Sequence, residues 1–370
     1  MGAPRPILIG SEIYRGSSYG PRHPLAIPRV SSTLDLIAAL GWLDPARYWE
    51  SPMAREEELA RFHDQDYITA LRRAEATQSV PEEDRRRYQI GCNGNPIFKE
   101  MFRRPATAAG ASLMAADWLS LHDGAVHSPA GGTHHGRPDR ASGFCYFNDP
   151  VLGMLRLLDR GIGRILYVDL DAHHADGVEA AFARDERVLV CSLHEAGRWP
   201  YTGTADTAHA RNFPVPPGFN DSELDFLIER AVLPLAERFR AQLLVLQCGA
   251  DGLAEDPMSR LELSNGAIWR AVARLLPLSA RTLVLGGGGY NPWAVARCWT
   301  GLWALLDGRD IPDRLPAAAE AVLRGLAWQH SRGRNPPERW FTTLADPPNP
   351  GPVRPEITDL AAHATASAIP

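Results

Sequence analysis

The sequence predicts an α/β fold, a single domain built on a mostly parallel central sheet with helices on both faces. Three observations predict it. From residue 124 to residue 306, short apolar runs alternate with segments of helical spacing, the pattern of βαβ units. The polar residues gather just after each apolar run, at the strand ends where open α/β sheets place their ligands. With 370 residues and 45% hydrophobic side chains, the chain can bury one large core.

Taken in order, Pro6–Gly10 reads as a first short strand, followed by a Gly-, Pro- and Ser-rich stretch, Tyr14–Arg29. Val30–Leu40, Arg55–His63 and Asp66–Ala74 carry helical spacing, with Asp66 as an N-cap. An irregular loop, Gln89–Phe98, leads to a small-residue helix, Pro105–Ser120. The alternating region then predicts strands at Gly124–Ser128, Arg164–Leu170, Arg187–Leu193, Gln242–Gln247 and Arg281–Leu285. Between and after them, helices are predicted at Asn148–Leu158, Gly177–Ala183, Asp221–Phe239, Asn265–Leu276 and Pro292–Leu306. A catalytic domain over residues 1–330 is expected, with 331–370 a proline-rich extended segment that packs on or trails from it and ends in a weak helix near Pro355–Ala366.

Composition excludes several function classes. The formal charge of −5 offers no basic excess for a nucleic-acid surface, and Lys99 is the only lysine among 39 basic residues. Five scattered cysteines (Cys92, Cys145, Cys191, Cys248 and Cys298) make no CxxC pair, so neither a zinc ribbon nor a disulfide framework is expected. No apolar run is long enough for a signal peptide or a membrane span, so a soluble cytoplasmic protein is the expectation.

The chemistry centres on R-I-L-Y-V-D-L-D-A-H-H-A-D-G-V-E, Arg164–Glu179. Along an extended chain side chains alternate faces, so Asp169, Asp171 and His173 point the same way. Two carboxylates and an imidazole crowded at a strand end would desolvate and repel one another, and a divalent cation resolves both problems. Asp171 and His173 supply two ligands, and Asp251, delivered by L-L-V-L-Q-C-G-A-D, is the best third. Three protein ligands leave an open position, the arrangement of a catalytic zinc site, though nitrogen and oxygen donors also admit iron, cobalt or manganese.

Two carboxylates neutralise the dication, so such a site needs a separate base. His134 and His135, in G-G-T-H-H-G, are the candidates, with Asp169 and Asp176 available to fix their tautomers. Tyr290 follows four glycines at a strand end, where its phenol can donate to a developing oxyanion. Phe144 and Trp199, on loops beside the metal, can wall a narrow apolar slot. Metal, base and oxyanion donor together imply hydrolysis of a carbonyl compound, and the slot implies a linear arm ending in an amide.

H-P-L-A-I-P-R, P-A-G-G-T-H-H, A-S-G-F-C-Y-F-N-D, the central motif, S-L-H, L-Q-C-G-A-D and L-G-G-G-G-Y-N occur in this order between about Ile9 and Leu306. The set resembles the arginase/deacetylase superfold and, within it, the zinc-dependent histone deacetylases. Class I enzymes and the bacterial histone deacetylase-like and acetoin-utilisation deacetylase proteins are the nearest likeness. The resemblance implies zinc at Asp171, His173 and Asp251. It also implies His134 paired with Asp169, His135 paired with Asp176 as general base and acid, and Tyr290 polarising the amide carbonyl. Gly143, Phe144 and Trp199 fall on the tunnel wall, with Trp in place of the usual Phe. Arg29 falls on an arginine of the internal cavity through which acetate leaves. A structural potassium site is implied at Asp169, Asp171 and Ser192, with the backbone of His173 and Leu193.

Two departures bear on the substrate. Gly94 stands where relatives carry an acid that grips the substrate backbone, with Asn93 a possible substitute, and Tyr201–Asn212 is shorter than in class I relatives, which implies a more open rim. The sequence therefore predicts a zinc amidohydrolase that removes acetyl or a similar short acyl group from the ε-amine of lysine in a protein. Ferrous iron is the alternative metal, and an acetylpolyamine or other small acetylated amine the alternative substrate. A catalytically silent acyl-lysine reader and an arginase-like ureohydrolase are the other readings. The acyl-chain preference, the physiological substrate and the oligomeric state stay open.

Overall fold

The computed structural model describes residues 5–366. Its centre is an eight-stranded sheet in the order β2-β1-β3-β8-β7-β4-β5-β6, and every neighbouring pair is parallel. The strands are β1 (Ile7–Gly10), β2 (Tyr48–Glu50), β3 (Gly124–Ser128), β4 (Ile165–Asp169), β5 (Val188–Glu195), β6 (Ala210–Val215), β7 (Leu243–Gln247) and β8 (Arg281–Leu285). Alternation sorts their side chains to two cores. Ile165, Tyr167, Leu243 and Val245 pack on one face, and Leu166, Val168, Leu244 and Leu246 on the other.

The five strands expected between residues 124 and 285 are the five adjacent strands at the centre, β3-β8-β7-β4-β5. The two strands absent from the sequence reading are the two edges. β2 is three half-exposed residues, too short to show a pattern, and β6 reads A-R-N-F-P-V. Pro214 cannot donate to a ladder and is tolerated because β6 has only one neighbour. β5 also runs on to Glu195, so His194 lies within the strand rather than beyond it.

Helices cover both faces, with local corrections. The helix expected from Asp66 is Gln65–Thr77, and its N-cap position is Asp64; Asp66 sits in the first turn, where its charge suits the helix dipole. Over residues 55–63 only Glu56–Leu59 is helical. Glu82–Tyr88 forms a helix that periodicity does not reveal, because E-E-D-R-R-R-Y has no apolar stripe. Its acidic first turn and basic last turn complement the dipole instead. Asp221–Phe239 is helical throughout but widens to a π-turn at Ile228–Val232, next to Pro234, whose missing N–H cannot serve an α-type bond.

The tail closes against the domain. Arg297 Nε donates to Thr343 O at 2.8 Å and Asn265 Nδ2 to Leu344 O at 2.9 Å. Arg354 forks onto buried Glu223 at 2.6 and 2.8 Å. In the last helix, Pro355–Ala366, Ile357, Ala361 and Ala364 are buried. Residues 1–4 and 367–370 of the expected domain and tail lie outside the described residues. No described helix is long and apolar enough to cross a membrane.

Candidate active site

β4 ends at Asp169, so strand alternation does not carry Asp171 and His173 as the sequence reading supposed. A turn does it instead. Asp169 Oδ1 accepts from Asp171 N and Asp171 Oδ1 from His173 N, both at 3.0 Å, and these two local bonds curl the chain back over the strand end. From β7, the segment after Gln247 brings in Asp251, whose Oδ1 accepts from Ala172 N at 2.9 Å.

Asp171, His173 and Asp251 offer ligand atoms that all lie within 4.8 Å of one another, and all three residues are buried. Asp171 Oδ2 accepts from Gly288 N at 2.7 Å and from Gln247 Nε2 at 2.8 Å. This close approach explains the glycine run: a Cβ at Gly288 would lie 2.1 Å from Asp251 Oδ2, and one at Gly249 2.2 Å from Asp171 Oδ2. Although burial opposes charge on His173, its bonds to Asp171 and Asp251 raise it to about 10. Burial, with Asp171 beside it, pushes Asp251 up. The donor set of two carboxylates and one imidazole, buried and converging on one point, fits a dication.

Each histidine of the tandem pair is tethered through Nδ1 to a carboxylate. His134 Nδ1 lies 2.7 Å from Asp169 Oδ2, and His135 Nδ1 lies 2.7 Å from Asp176 Oδ1. The rings stand 3.9 Å apart by their centroids, yet their environments separate them. Burial opposes charge on His134, but Asp169 and Asp171 lift it to about 9. Burial, then the neighbouring His134, press His135 down to about 3. The surroundings therefore favour charge on His134 and oppose it on His135.

Above the cluster opens a cavity of about 410 Å³, lined among others by His135, His173, Gly143, Phe144, Trp199 and Tyr290. Trp199 packs edge-on to His135 at 4.6 Å, and Phe144 to Tyr290 at 6.1 Å. The Tyr290 hydroxyl has no hydrogen-bond partner among the described residues, and burial holds the phenol well above its usual range. Beneath lies a smaller cavity of about 40 Å³, bordered by Arg29, His134, Asp171 and Tyr290. Arg29 is therefore not at the mouth; its Nη1 donates to Gly287 O at 2.5 Å. Ser192 sits in register with Asp169 on the adjacent strand, and Leu193 follows it, buried. Gly94 faces the Phe144 ring and not the cavity, which Asn93 lines instead.

Several supporting residues escaped the sequence reading. Gln247 orients Asp171, and a lone amide ending the run L-L-V-L-Q was the available signal. Arg137 pairs with Asp176, and Tyr167 Oη donates to Asp169 at 2.6 Å from inside an apolar strand, where no pattern marks it. Asp256 Oδ2 accepts from Tyr290 N at 2.6 Å and anchors the tyrosine loop.

The histone deacetylase domain family matches residues 23–306, more than half of the chain. Histone deacetylase 8 of Xenopus tropicalis is 35% identical over 302 residues, covering 78% of this chain and 81% of that protein. The acetoin utilization protein AcuC of Bacillus subtilis is 30% identical over 381 residues, covering 98% of this chain and 96% of its own. The crystal structure of an HDAC homolog from Aquifex aeolicus superposes with a TM-score of 0.93 at 37% identity, covering 98% of this chain and all of that one. A second such structure, of an HDAC homolog complexed with SAHA, matches with the same score. With that domain over most of its length and relatives of this identity along it, the chain belongs to the histone deacetylase family of hydrolases.

Proposed function

We propose that the protein is a zinc-dependent amidohydrolase that removes acetyl, or a similar short acyl group, from the ε-amine of lysine; ferrous iron is the alternative metal. Membership of the family implies metal dependence and an acetylated substrate. The observation that carries the finer reading is geometric: two imidazoles, each tethered through Nδ1 to its own carboxylate, stand beside the Asp171–His173–Asp251 cluster and border the same cavity as the free Tyr290 hydroxyl.

A dication held by Asp171, His173 and Asp251 supplies Lewis acidity to the acyl carbonyl and to water. Phe144 and Trp199, with Gly143 between them, flank the acyl-lysyl arm and keep bulk water from it. Asp176 holds the Nδ1–H of His135, so the Nε2 lone pair faces the cavity and takes the proton of the attacking water. His134, cationic against Asp169, stabilises negative charge as the tetrahedral centre forms. Tyr290 donates to the carbonyl oxygen as it becomes an oxyanion, and the proton on His135 passes to the leaving amine. Arg29 offers a cation beside the lower cavity for the departing carboxylate. Asp169, Asp171 and Ser192, with the backbone of His173 and Leu193, are the residues for a structural potassium ion, which would offset the crowding of two carboxylates.

A second reading, hydrolysis of a small acetylated amine, draws on Gly94, which leaves that point of the rim without an acid. The zinc-loaded protein should be assayed on an acetyl-lysine peptide and on N-acetylputrescine side by side, with Asp251→Ala as control. Faster turnover of the peptide is expected. Preference for N-acetylputrescine would move the protein to the second reading, and inactivity on both with metal bound would sink the proposal.

A further inference from the structure

The mouth of the cavity is cationic in a chain whose formal charge is −5. Two guanidiniums line it, Arg198 and Arg260, and no Asp or Glu does. Both are clamped from beneath by Glu195, the last residue of β5, whose side chain is fully buried while that of Arg260 is 68% exposed. Arg198 donates through Nε at 2.5 Å and Nη2 at 3.1 Å; Arg260 donates through Nε at 3.0 Å and its backbone N–H at 2.8 Å. One carboxylate between two guanidiniums leaves one net positive charge. Arg198 Nη1 and both Nη groups of Arg260 have no partner among the described residues. Clamping removes much of the side-chain entropy that weakens ordinary surface pairs, so these groups are preorganised for an anion.

The opposite side of the mouth cannot restore an acid without rearrangement. Gly94 has φ +81°, and a Cβ built there would lie 2.4 Å from the Phe144 ring. Its neighbour Asn93 lines the mouth with a neutral amide. A polyamine would therefore bring its free ammonium groups to two arginines, with no carboxylate lining the cavity among the described residues and Glu195 already engaged beneath them.

We propose that Arg198 and Arg260 select substrates carrying a carboxylate next to the acyl-lysyl arm. The carboxylate is either the side chain of an acidic residue beside the modified lysine or the free α-carboxylate of Nε-acetyl-lysine. The inference rests on the lysine deacylase reading given above and names its substrate class.

The test is steady-state kinetics of the zinc-loaded full chain on acetyl-lysine peptides that differ only in an adjacent Asp, Ala or Arg. Free Nε-acetyl-lysine and its α-amide are run beside them. The Asp peptide should show a KM roughly fivefold below the Ala peptide, with the Arg peptide higher still, little change in kcat, and a gap that shrinks at high salt. Arg260→Gln should flatten this order and Arg260→Lys should keep part of it. Arg198 still pairs with Glu195 in both variants, and the backbone N–H of residue 260 still donates to it. A lower KM for acetyl-lysine than for its amide assigns the carboxylate to the α position; a preference confined to the Asp peptide assigns it to a side chain. Equal KM values for the Asp and Arg peptides, or an undiminished order in Arg260→Gln, would overturn the proposal while the deacylase reading stands. If no substrate is hydrolysed, the deacylase reading fails, and calorimetric titration of the same peptides against wild type and Arg260→Gln still decides whether the rim binds anions.

Discussion

At the floor of the cavity Asp171, Asp251 and His134 are at most 3% exposed, whereas at the mouth Trp199 is 38% and Tyr201 71% exposed. The floor groups hold one another by short bonds from four strands. The mouth groups hang on loops, and Trp199 and Tyr201 there keep much of their surface in water. Charge buried away from water must be fully satisfied or it destabilises the fold, so the residues of the floor constrain each other and cannot change one at a time. Exposed residues carry no such obligation. Chemistry is fixed where water is excluded, and substrate choice is left where it is not.

The strongest way to break this contrast is Asp251→Ala. The variant should lose bound metal and lower turnover at least about a thousandfold, read from metal content and rate, since a lost Lewis acid removes several kcal/mol of transition-state stabilisation. Metal retained at wild-type stoichiometry would show that Asp251 does not hold it.

Acid should also find the interior before the mouth. Burial depresses His63 and His127 from 6.5 to about 4, so between those two values the unfolded chain binds protons more readily than the native one. Their contribution is complete above a pH of about 6.5 and is lost as the pH falls towards about 4, up to roughly 3 kcal/mol for each. Chemical denaturation at a series of pH values reads this directly, and a flat profile would contradict the neutral assignment.

Tyr290→Phe removes a donor without touching the ligands. Turnover should fall about a hundredfold with metal content unchanged. One step further out, Gln247→Leu deprives Asp171 of an orienting bond and should weaken metal binding about tenfold, measured by competition with a chelator. At the mouth, Trp199→Phe should alter kcat/KM for an acetyl substrate only about twofold, as expected of a replacement that keeps an aromatic wall at an exposed position. A loss as large as that of Tyr290→Phe would erase the distinction between floor and mouth.

The same contrast governs what could be read from the chain beforehand. Fully buried parallel strands must be continuous apolar runs, and their polar ends stand out against them. That is why the five central strands and Asp171, His173, Asp251, His134, His135 and Tyr290 were visible in the sequence. The edge strands β2 and β6 have one neighbour each, need no such run, and were missed. Tyr167 and Arg137 were missed because contacts across the fold, and not local spacing, give them their partners. The turn at Asp171 shows the converse, a correct set of residues reached by the wrong geometry, because local side-chain-to-backbone bonds take over where the strand stops.

The strand order has a further consequence for how the protein comes into being. His127 on β3 touches Val284 on β8, residues 157 positions apart, and the floor draws on both of these strands and on the β7 and β4 between them. A chain still emerging from the ribosome holds Asp169, Asp171 and both histidines long before the segment carrying Asp251 and Gly288 arrives to cover them. Long-range pairing of this kind is slow to form. The ligand cluster and the loop that closes over it come together only after β8 has joined the sheet, so assembly of the site doubles as a report that the central topology has been reached.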